Sequence, residues 1–121
     1  MTDAPLLMVV DDDPSVLLLV DVLAEKMGFR VKAVSNGLLA LEQLRDGVQP
    51  AVILLDIMME RIDGLTFMNH LRDMAQVEHT PVIAMSTAAV LDRYGDTLQV
   101  AGTLLKHITN TSLAEALARY R

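Results

Sequence analysis

Five short apolar runs, separated by stretches with helical spacing, constrain the fold of this chain more than any other feature. They lie at 6–10, 30–34, 51–55, 81–85 and 103–105. The first, third and fourth runs are hydrophobic throughout, which is typical of strands that are covered on both faces of a sheet. The second run mixes polar and apolar residues, as an edge strand does.

Helix signals fill the intervals between these runs. Asp13 and Pro14 predict the start of the first helix, as N-cap and first helical residue, and Gly28 predicts its end. The other predicted helices run from about 37 to 46, from a cap at Asp63 through 74, within 88–100, and from 109 or 111 to the C-terminus. Strands that alternate with helices in this way predict a parallel sheet with right-handed crossovers. We expect one domain over residues 1–121.

Composition excludes several classes of protein. The chain has 121 residues, 52% of them hydrophobic, which is enough to form a core with only two Tyr and two Phe. It has no cysteine, which excludes disulfides, thiolate metal sites and cysteine nucleophiles. A net charge of −6 without a basic cluster argues against direct nucleic-acid binding. We see no signal-peptide pattern and no apolar run of membrane-spanning length, so we expect a cytoplasmic protein without membrane contact.

Polar side chains follow four of the five predicted strands at the point where each strand ends. They are Asp11, Asp12 and Asp13 after the first strand, Asp56 after the third, Ser86 and Thr87 after the fourth, and Lys106 after the fifth. In an open parallel sheet these ends meet at one edge, where ligands bind. Crowded carboxylates raise one another's pKa unless a cation neutralises them, and oxygen ligands favour Mg²⁺. The sequence therefore predicts a magnesium site, with Asp13 serving only as a helix cap.

The chemistry that fits this set is phosphoryl transfer to a carboxylate. Lys106 adds a fixed positive charge and Ser86 a hydroxyl, while no His or Cys of the kind a hydrolase uses stands among them. Taken singly, each residue has an ordinary explanation, as a helix cap or a solvated charge. Together, in this order, they indicate that Asp56 accepts a phosphoryl group, balanced by a cation and Lys106.

The chain resembles the CheY-like receiver domain of two-component response regulators over almost its whole length. The residues that carry the resemblance are those at 9–14, 53–59, 63–64 and 81–86, together with Lys106. The resemblance implies a doubly wound (βα)5 fold of the flavodoxin-like type, with a five-stranded parallel sheet in the order 2-1-3-4-5. It also implies a signalling domain rather than an enzyme.

The resemblance further implies the roles of the site residues. Asp56 would be phosphorylated by a histidine kinase or a histidine phosphotransfer protein. Ser86 would hydrogen-bond the phosphoryl oxygens, and Lys106 would contact the same group from the other side. The implied Mg²⁺ ligands are Asp12 directly, Asp11 largely through water, the backbone carbonyl of Met58, and Asp56.

Three positions depart from the family pattern, and the stretch from 86 to 106 is slightly shorter than usual. His107 replaces a proline that normally follows the lysine through a cis bond, and a cis bond before a non-proline residue costs about 3 kcal/mol. We expect either a trans bond with Lys106 displaced, or a retained cis bond. Glu60 replaces a proline and adds a carboxylate that either approaches the metal site or points to solvent. Thr103 replaces an aromatic residue that usually reports activation.

The first helix carries extra apolar residues that predict a partner. We expect Val16, Leu19, Val20 and Leu23 to face the sheet. Leu17, Leu18 and Val22 would then lie on the outer side, available to a helix in a groove or a dimer seam, or covered by neighbouring chain. In the family this helix docks on the kinase. We expect a downstream protein target as well, and a monomer or weak homodimer.

Two alternatives remain open beside the phosphorylated receiver. A pseudo-receiver would keep the fold and bind partners without phosphorylation, which His107, Glu60 and Thr103 favour. A haloacid-dehalogenase-like phosphatase would need a second Asp two residues after the first, where this chain has Met58. A nucleotide-binding fold would need a glycine-rich first loop, which is absent here.

Overall fold

Strands and helices alternate along the chain in the order that the apolar pattern predicts. The computed structural model describes residues 3–121, with side chains described at all of these positions except 94–98. Over that range the elements are β1 (Leu6–Val10), α1 (Pro14–Lys26), β2 (Arg30–Val34), α2 (Gly37–Arg45), β3 (Val52–Asp56), α3 (Gly64–Arg72), β4 (Val82–Ser86), α4 (Ala88–Leu98), β5 (Gly102–Leu105) and α5 (Asn110–Leu117), followed by a 3₁₀ turn over Ala118–Tyr120.

The strands form one parallel sheet in the order β2-β1-β3-β4-β5, which confirms the expected flavodoxin-like topology. β3 and β4 are buried along their whole length, as their apolar runs require, and β2 is an exposed edge. The register pairs Asp56 with Met85 and Ser86 with Leu105. The carboxyl ends of β3, β4 and β5 therefore lie level with one another.

Polar caps fix where the helices begin. The Asp13 carboxylate accepts a hydrogen bond from the backbone N–H of Ser15 at 2.9 Å at the start of α1. Asp63 does the same for Thr66 at the start of α3, also at 2.9 Å. Gly28 has φ +98°, which ends the turn after α1 in a conformation that favours glycine. The sequence predictions for these boundaries are confirmed.

The core consists of two clusters, one on each face of the sheet. Alternate residues of a strand point to opposite faces, so Met8 and Val10 pack with α2 and α3, whereas Leu7 and Val9 pack with α1 and α5. Methionine takes the place of the missing aromatic residues at positions such as Met8 and Met85, both fully buried.

Helix α1 is rotated relative to the sequence prediction. Its fully buried residues are Val20 and Ala24. Leu17 is half-buried against the core, not on the outer side, whereas Leu19 is 40% exposed and does not face the sheet as expected. Leu18 and Val22 do lie outward, with 67% and 45% of their surface exposed. Val20 and Ala24 lie one helical turn apart and mark the face of α1 that packs on the sheet.

None of the helices in the described part of the chain combines the length and the apolar character needed to cross a membrane.

Candidate functional site

Four of the residues singled out by the sequence meet at the carboxyl edge of the sheet. Asp11 and Asp12 follow β1, Asp56 is the last residue of β3, and Lys106 follows β5. One carboxylate oxygen from each of the three aspartates lies within 4.8 Å of the others. The Nζ atom of Lys106 lies 2.8 Å from Asp11 Oδ2 and 3.2 Å from Asp56 Oδ2.

Asp56 is held in a fixed orientation although it stands at a strand end. Only 2% of its surface is exposed. One carboxylate oxygen accepts a hydrogen bond from the backbone N–H of Met58 at 3.2 Å, and the other contacts Lys106. The next residue, Ile57, donates its N–H to the carbonyl of Met85 at 3.1 Å, so the strand pairing continues past the carboxylate.

Asp11 is the most deeply buried carboxylate of the site. Its backbone N–H donates to the carbonyl of Val34 at 3.1 Å, and its Oδ1 accepts from the N–H of Asp13 at 2.9 Å. Asp13 therefore has a second contact, through its backbone, that the sequence did not reveal. An Asp two residues before a helix N-cap is the pattern that signals such a turn.

Burial is the main reason that the pKa of Asp56 is raised to about 6, and the neighbouring negative charge of Asp11 acts in the same direction. Lys106 opposes this by its charge and hydrogen bond, and the Met58 amide opposes it to a smaller extent. The pKa is raised overall because burial and the Asp11 charge outweigh the single ammonium group of Lys106.

Lys106 shows the complementary effect. Its partial burial alone would lower its pKa, but the hydrogen bond to Asp11 and the charges of Asp56 and Asp11 outweigh burial and raise the pKa above its ordinary value. The ammonium group therefore stays protonated at neutral pH and acts as a fixed positive charge.

The donor set fits a hard divalent cation. Apart from the ion pair with Lys106, the buried Asp11 Oδ2 atom has no hydrogen-bond partner among the described residues. Asp12 is exposed and turns its carboxylate oxygen toward the other two, so the cluster is open to solvent on one side. Carboxylate oxygens with room for water are the ligands that Mg²⁺ prefers.

Ser86 and Met58 lie where the sequence predicts. Ser86 is buried at the end of β4, next to β5, and its carbonyl accepts a hydrogen bond from the Lys106 N–H at 3.0 Å. Met58 is exposed two residues beyond Asp56. Their roles toward a phosphoryl group and a cation remain predictions.

The loop after β3 is pinned at its far end by Gly64. The N–H of Gly64 donates to the carbonyl of Ile57 at 2.9 Å, and a Cβ on Gly64 would lie 3.0 Å from the Ile57 Cα. Glu60, inside this loop, is exposed and does not belong to the carboxylate cluster. The structure therefore agrees with the alternative in which Glu60 points to solvent.

The Lys106–His107 peptide bond matches neither of the two expected arrangements. No cis peptide occurs among residues 3–121, so the bond is trans, yet Lys106 remains in contact with Asp11 and Asp56. The expectation that a trans bond would displace Lys106 is therefore wrong. The chain turns instead through His107, which has φ +79°. Thr103 lies on β5 and is exposed.

Comparisons with known proteins agree with this fold. The sensor histidine kinase GacS of Pseudomonas protegens is 30% identical over 123 residues, covering 97% of this chain and 13% of GacS. The response regulator Rre1 of Synechocystis sp. is 33% identical over 94 residues, covering 77% of this chain and 39% of Rre1. The chain thus spans well under two thirds of these relatives.

A solved structure extends the comparison to the whole fold. The chemotaxis response regulator CheY4 of Vibrio cholerae superposes with a TM-score of 0.88 at 23% identity, covering 98% of this chain and 99% of CheY4. The family model described as the response regulator receiver domain matches residues 7–118. Because that match includes every strand end at the carboxylate cluster, the chain belongs to the response regulator receiver domain family.

Proposed function

We propose that this chain is a phosphorylatable receiver of two-component signalling, in which Asp56 accepts a phosphoryl group from a phosphohistidine. The observation that carries the proposal is the environment of Asp56, a buried carboxylate with a lysine ammonium 3.2 Å from one oxygen and two further aspartates beside it. In the transfer, an oxygen of Asp56 forms a bond to phosphorus while the bond from phosphorus to the donor nitrogen breaks.

The residues of the chain have separate parts in that step. Asp56 must be ionised to attack, which its pKa of about 6 allows at neutral pH. Lys106 balances the negative charge that gathers on the phosphoryl oxygens, because its position is already fixed by Asp11. Ser86, buried at the end of β4, supplies a hydroxyl that hydrogen-bonds one of those oxygens.

Asp11, Asp12, Asp56 and the Met58 carbonyl would hold Mg²⁺. When bound, the cation supplies positive charge that screens the attacking carboxylate from the incoming phosphate. The support for this assignment is the mutual approach of the three carboxylates and the buried Asp11 Oδ2 atom, whose contact among the described residues is the Lys106 ammonium.

The exposed side of α1 supports docking of the phosphodonor. Leu18 and Val22 stand one helical turn apart, both largely exposed. Leu17 is half-buried against the core and lies only at the edge of that surface. A Leu18→Glu variant should accept phosphoryl groups from acetyl phosphate at the wild-type rate but more slowly from a histidine-phosphorylated protein donor.

The deciding experiment is intact-mass spectrometry after incubation with acetyl phosphate and Mg²⁺. Wild type should gain one phosphoryl adduct, and Asp56→Asn should gain none. Omission of Mg²⁺, by addition of EDTA, should abolish the adduct. A wild-type protein that binds Mg²⁺ yet is labelled neither by acetyl phosphate nor by a protein donor would favour the pseudo-receiver instead.

A further inference from the structure

The turn between β5 and α5 depends on an unusual backbone conformation. Among residues 3–121, two non-glycine residues have positive φ, His107 at 79° and Gln99 at 52°. Histidine adopts this region more readily than most side chains do, glycine adopts it freely, and asparagine tolerates it. Valine is strongly disfavoured there, and proline is excluded because its ring fixes φ near −65°.

The chain is held on both sides of His107, which restricts its backbone conformation. Before it, Lys106 donates its N–H to the Ser86 carbonyl at 3.0 Å. After it, Ile108 packs against the core cluster between the sheet and α1, and Thr109 caps α5 through the N–H of Ser112 at 3.0 Å. The whole change of direction from strand to helix thus falls on very few residues.

The side chain of His107 contributes little to this arrangement. It is exposed and makes no hydrogen bond or ion pair with any described residue. The distinguishing feature of His107 is therefore its backbone conformation. His107 directly follows Lys106, the residue that contacts Asp11 and Asp56.

We propose that His107 is a positioning residue whose left-handed backbone holds the Lys106 ammonium against Asp11 and Asp56, and that its imidazole is dispensable. The placement of Lys106 stands on its own, whereas its consequence for phosphorylation rests on the proposed function. Residues that cannot adopt φ +79° on a trans bond should displace Lys106, whereas residues that adopt it should keep Lys106 in place.

The accessibility of Lys106 measures its position without any need for phosphorylation. The chain has three lysines, and Lys26 and Lys32 are exposed on the surface. Lys106 is paired with two carboxylates, which lowers the reactivity of its nitrogen toward acylating reagents. Pulse acetylation followed by peptide mass spectrometry therefore reports the position of Lys106, with Lys26 and Lys32 as internal references.

The variants His107→Gly, His107→Asn, His107→Ala and His107→Val form a graded series. Gly and Asn should leave Lys106 acetylation within about twofold of wild type, since both adopt positive φ. Val should raise it about tenfold relative to the reference lysines, the change expected when a strained conformation is lost. Ala should lie between. If His107→Val does not fold by circular dichroism, the Gly–Ala comparison carries the test.

Gln99 provides the matched control. It has the same backbone class but precedes β5, at the opposite edge of the sheet from Lys106. Gln99→Val should lower the free energy of unfolding without changing Lys106 acetylation. Equal exposure of Lys106 in the Gly and Val variants at position 107 would overturn the proposal.

Acetyl phosphate labelling of Asp56 in the same variants then separates the two proposals. If wild type is labelled, the rates should follow the order of Lys106 protection, and rates independent of that order would contradict the positioning role in phosphorylation. If neither acetyl phosphate nor a protein donor labels wild type, the proposed function fails, while the acetylation pattern still decides whether His107 positions Lys106.

Discussion

The ammonium nitrogen of Lys106 lies 2.8 Å from an oxygen of Asp11 and 3.2 Å from an oxygen of Asp56, so one cation faces two buried carboxylates. Burial is the main cause of the raised pKa of Asp56, and the negative charge of Asp11 adds to it. With Asp12 beside them, the carboxylates outnumber the single ammonium group, and this excess of negative charge fits a divalent cation.

Replacing Lys106 should raise the pKa of Asp56 above about 6 in metal-free protein, because the charge and hydrogen bond that oppose burial disappear. Lys106→Met keeps most of the side-chain volume, and ¹³C NMR of the labelled carboxyl groups follows the titration. Lys32→Met, on the exposed strand β2, is the control and should leave the Asp56 pKa unchanged. A pKa that does not move in Lys106→Met would show that the ion pair is not formed in solution.

Asp56 should make the metal-free protein less stable as the pH rises. Its pKa is about 6 in the folded protein against 3.8 ordinarily, so the folded state holds the proton more tightly than the unfolded chain does. Stability is accordingly lost between about pH 4 and about pH 6. The penalty above that window is about 2–3 kcal/mol for this almost fully buried group.

Asp56→Asn removes this contribution and isolates it from all other titrations. Urea unfolding in EDTA should give a variant more stable than wild type at pH 8, with the difference shrinking toward pH 4. Mg²⁺ should stabilise wild type at pH 8 far more than it stabilises the variant. A difference between the two proteins that is constant with pH would mean that Asp56 titrates normally.

The strands and most helix boundaries could be predicted from the sequence because each signal is local. A short run of apolar residues such as 52–55 is typical of a buried strand. Asp13 followed by Pro14 favours the start of a helix, because Asp caps the free N–H groups and Pro fits the first helical position. The site could be predicted for the same reason, since the parallel topology brings Asp56 and Lys106 to one edge whatever the details of packing.

The errors concern properties that neighbouring elements decide. The helical spacing placed Leu19 among the residues of α1 that face the sheet, whereas Val20 and Ala24 form the buried face and Leu19 is 40% exposed. The conformation of His107 depends on Ser86 and on the packing of Ile108, which lie on other parts of the structure. From the proline that the family usually carries here, we expected either a trans bond with Lys106 displaced or a retained cis bond. The structure has a trans bond with Lys106 in place and a left-handed conformation at His107.

Gly64→Ala should destabilise the protein by about 1–3 kcal/mol, since the new methyl group would meet the backbone of Ile57 at 3.0 Å, where little can give way. Chemical denaturation measures the loss. Gly102→Ala, where the nearest atom is at 3.9 Å, is the matched control and should change stability much less. Because Gly64 pins the loop that contains Met58, the Ala variant should also bind Mg²⁺ more weakly. Equal stability of the two variants would argue against a tight loop.

Asp12 and Asp13 are adjacent in the sequence but should respond to mutation in opposite ways. Asp12 is exposed and belongs to the carboxylate cluster, so Asp12→Ala should change metal-free stability by less than about 0.5 kcal/mol and remove most of the stabilisation that Mg²⁺ provides. Asp13→Ala loses the cap of α1 and about 1 kcal/mol, but keeps the backbone N–H that supports Asp11 and thus responds to Mg²⁺ as wild type does. Urea unfolding with and without Mg²⁺ measures both effects. If Asp12→Ala were stabilised by Mg²⁺ as strongly as Asp13→Ala, the cation would be bound elsewhere than at the end of β1.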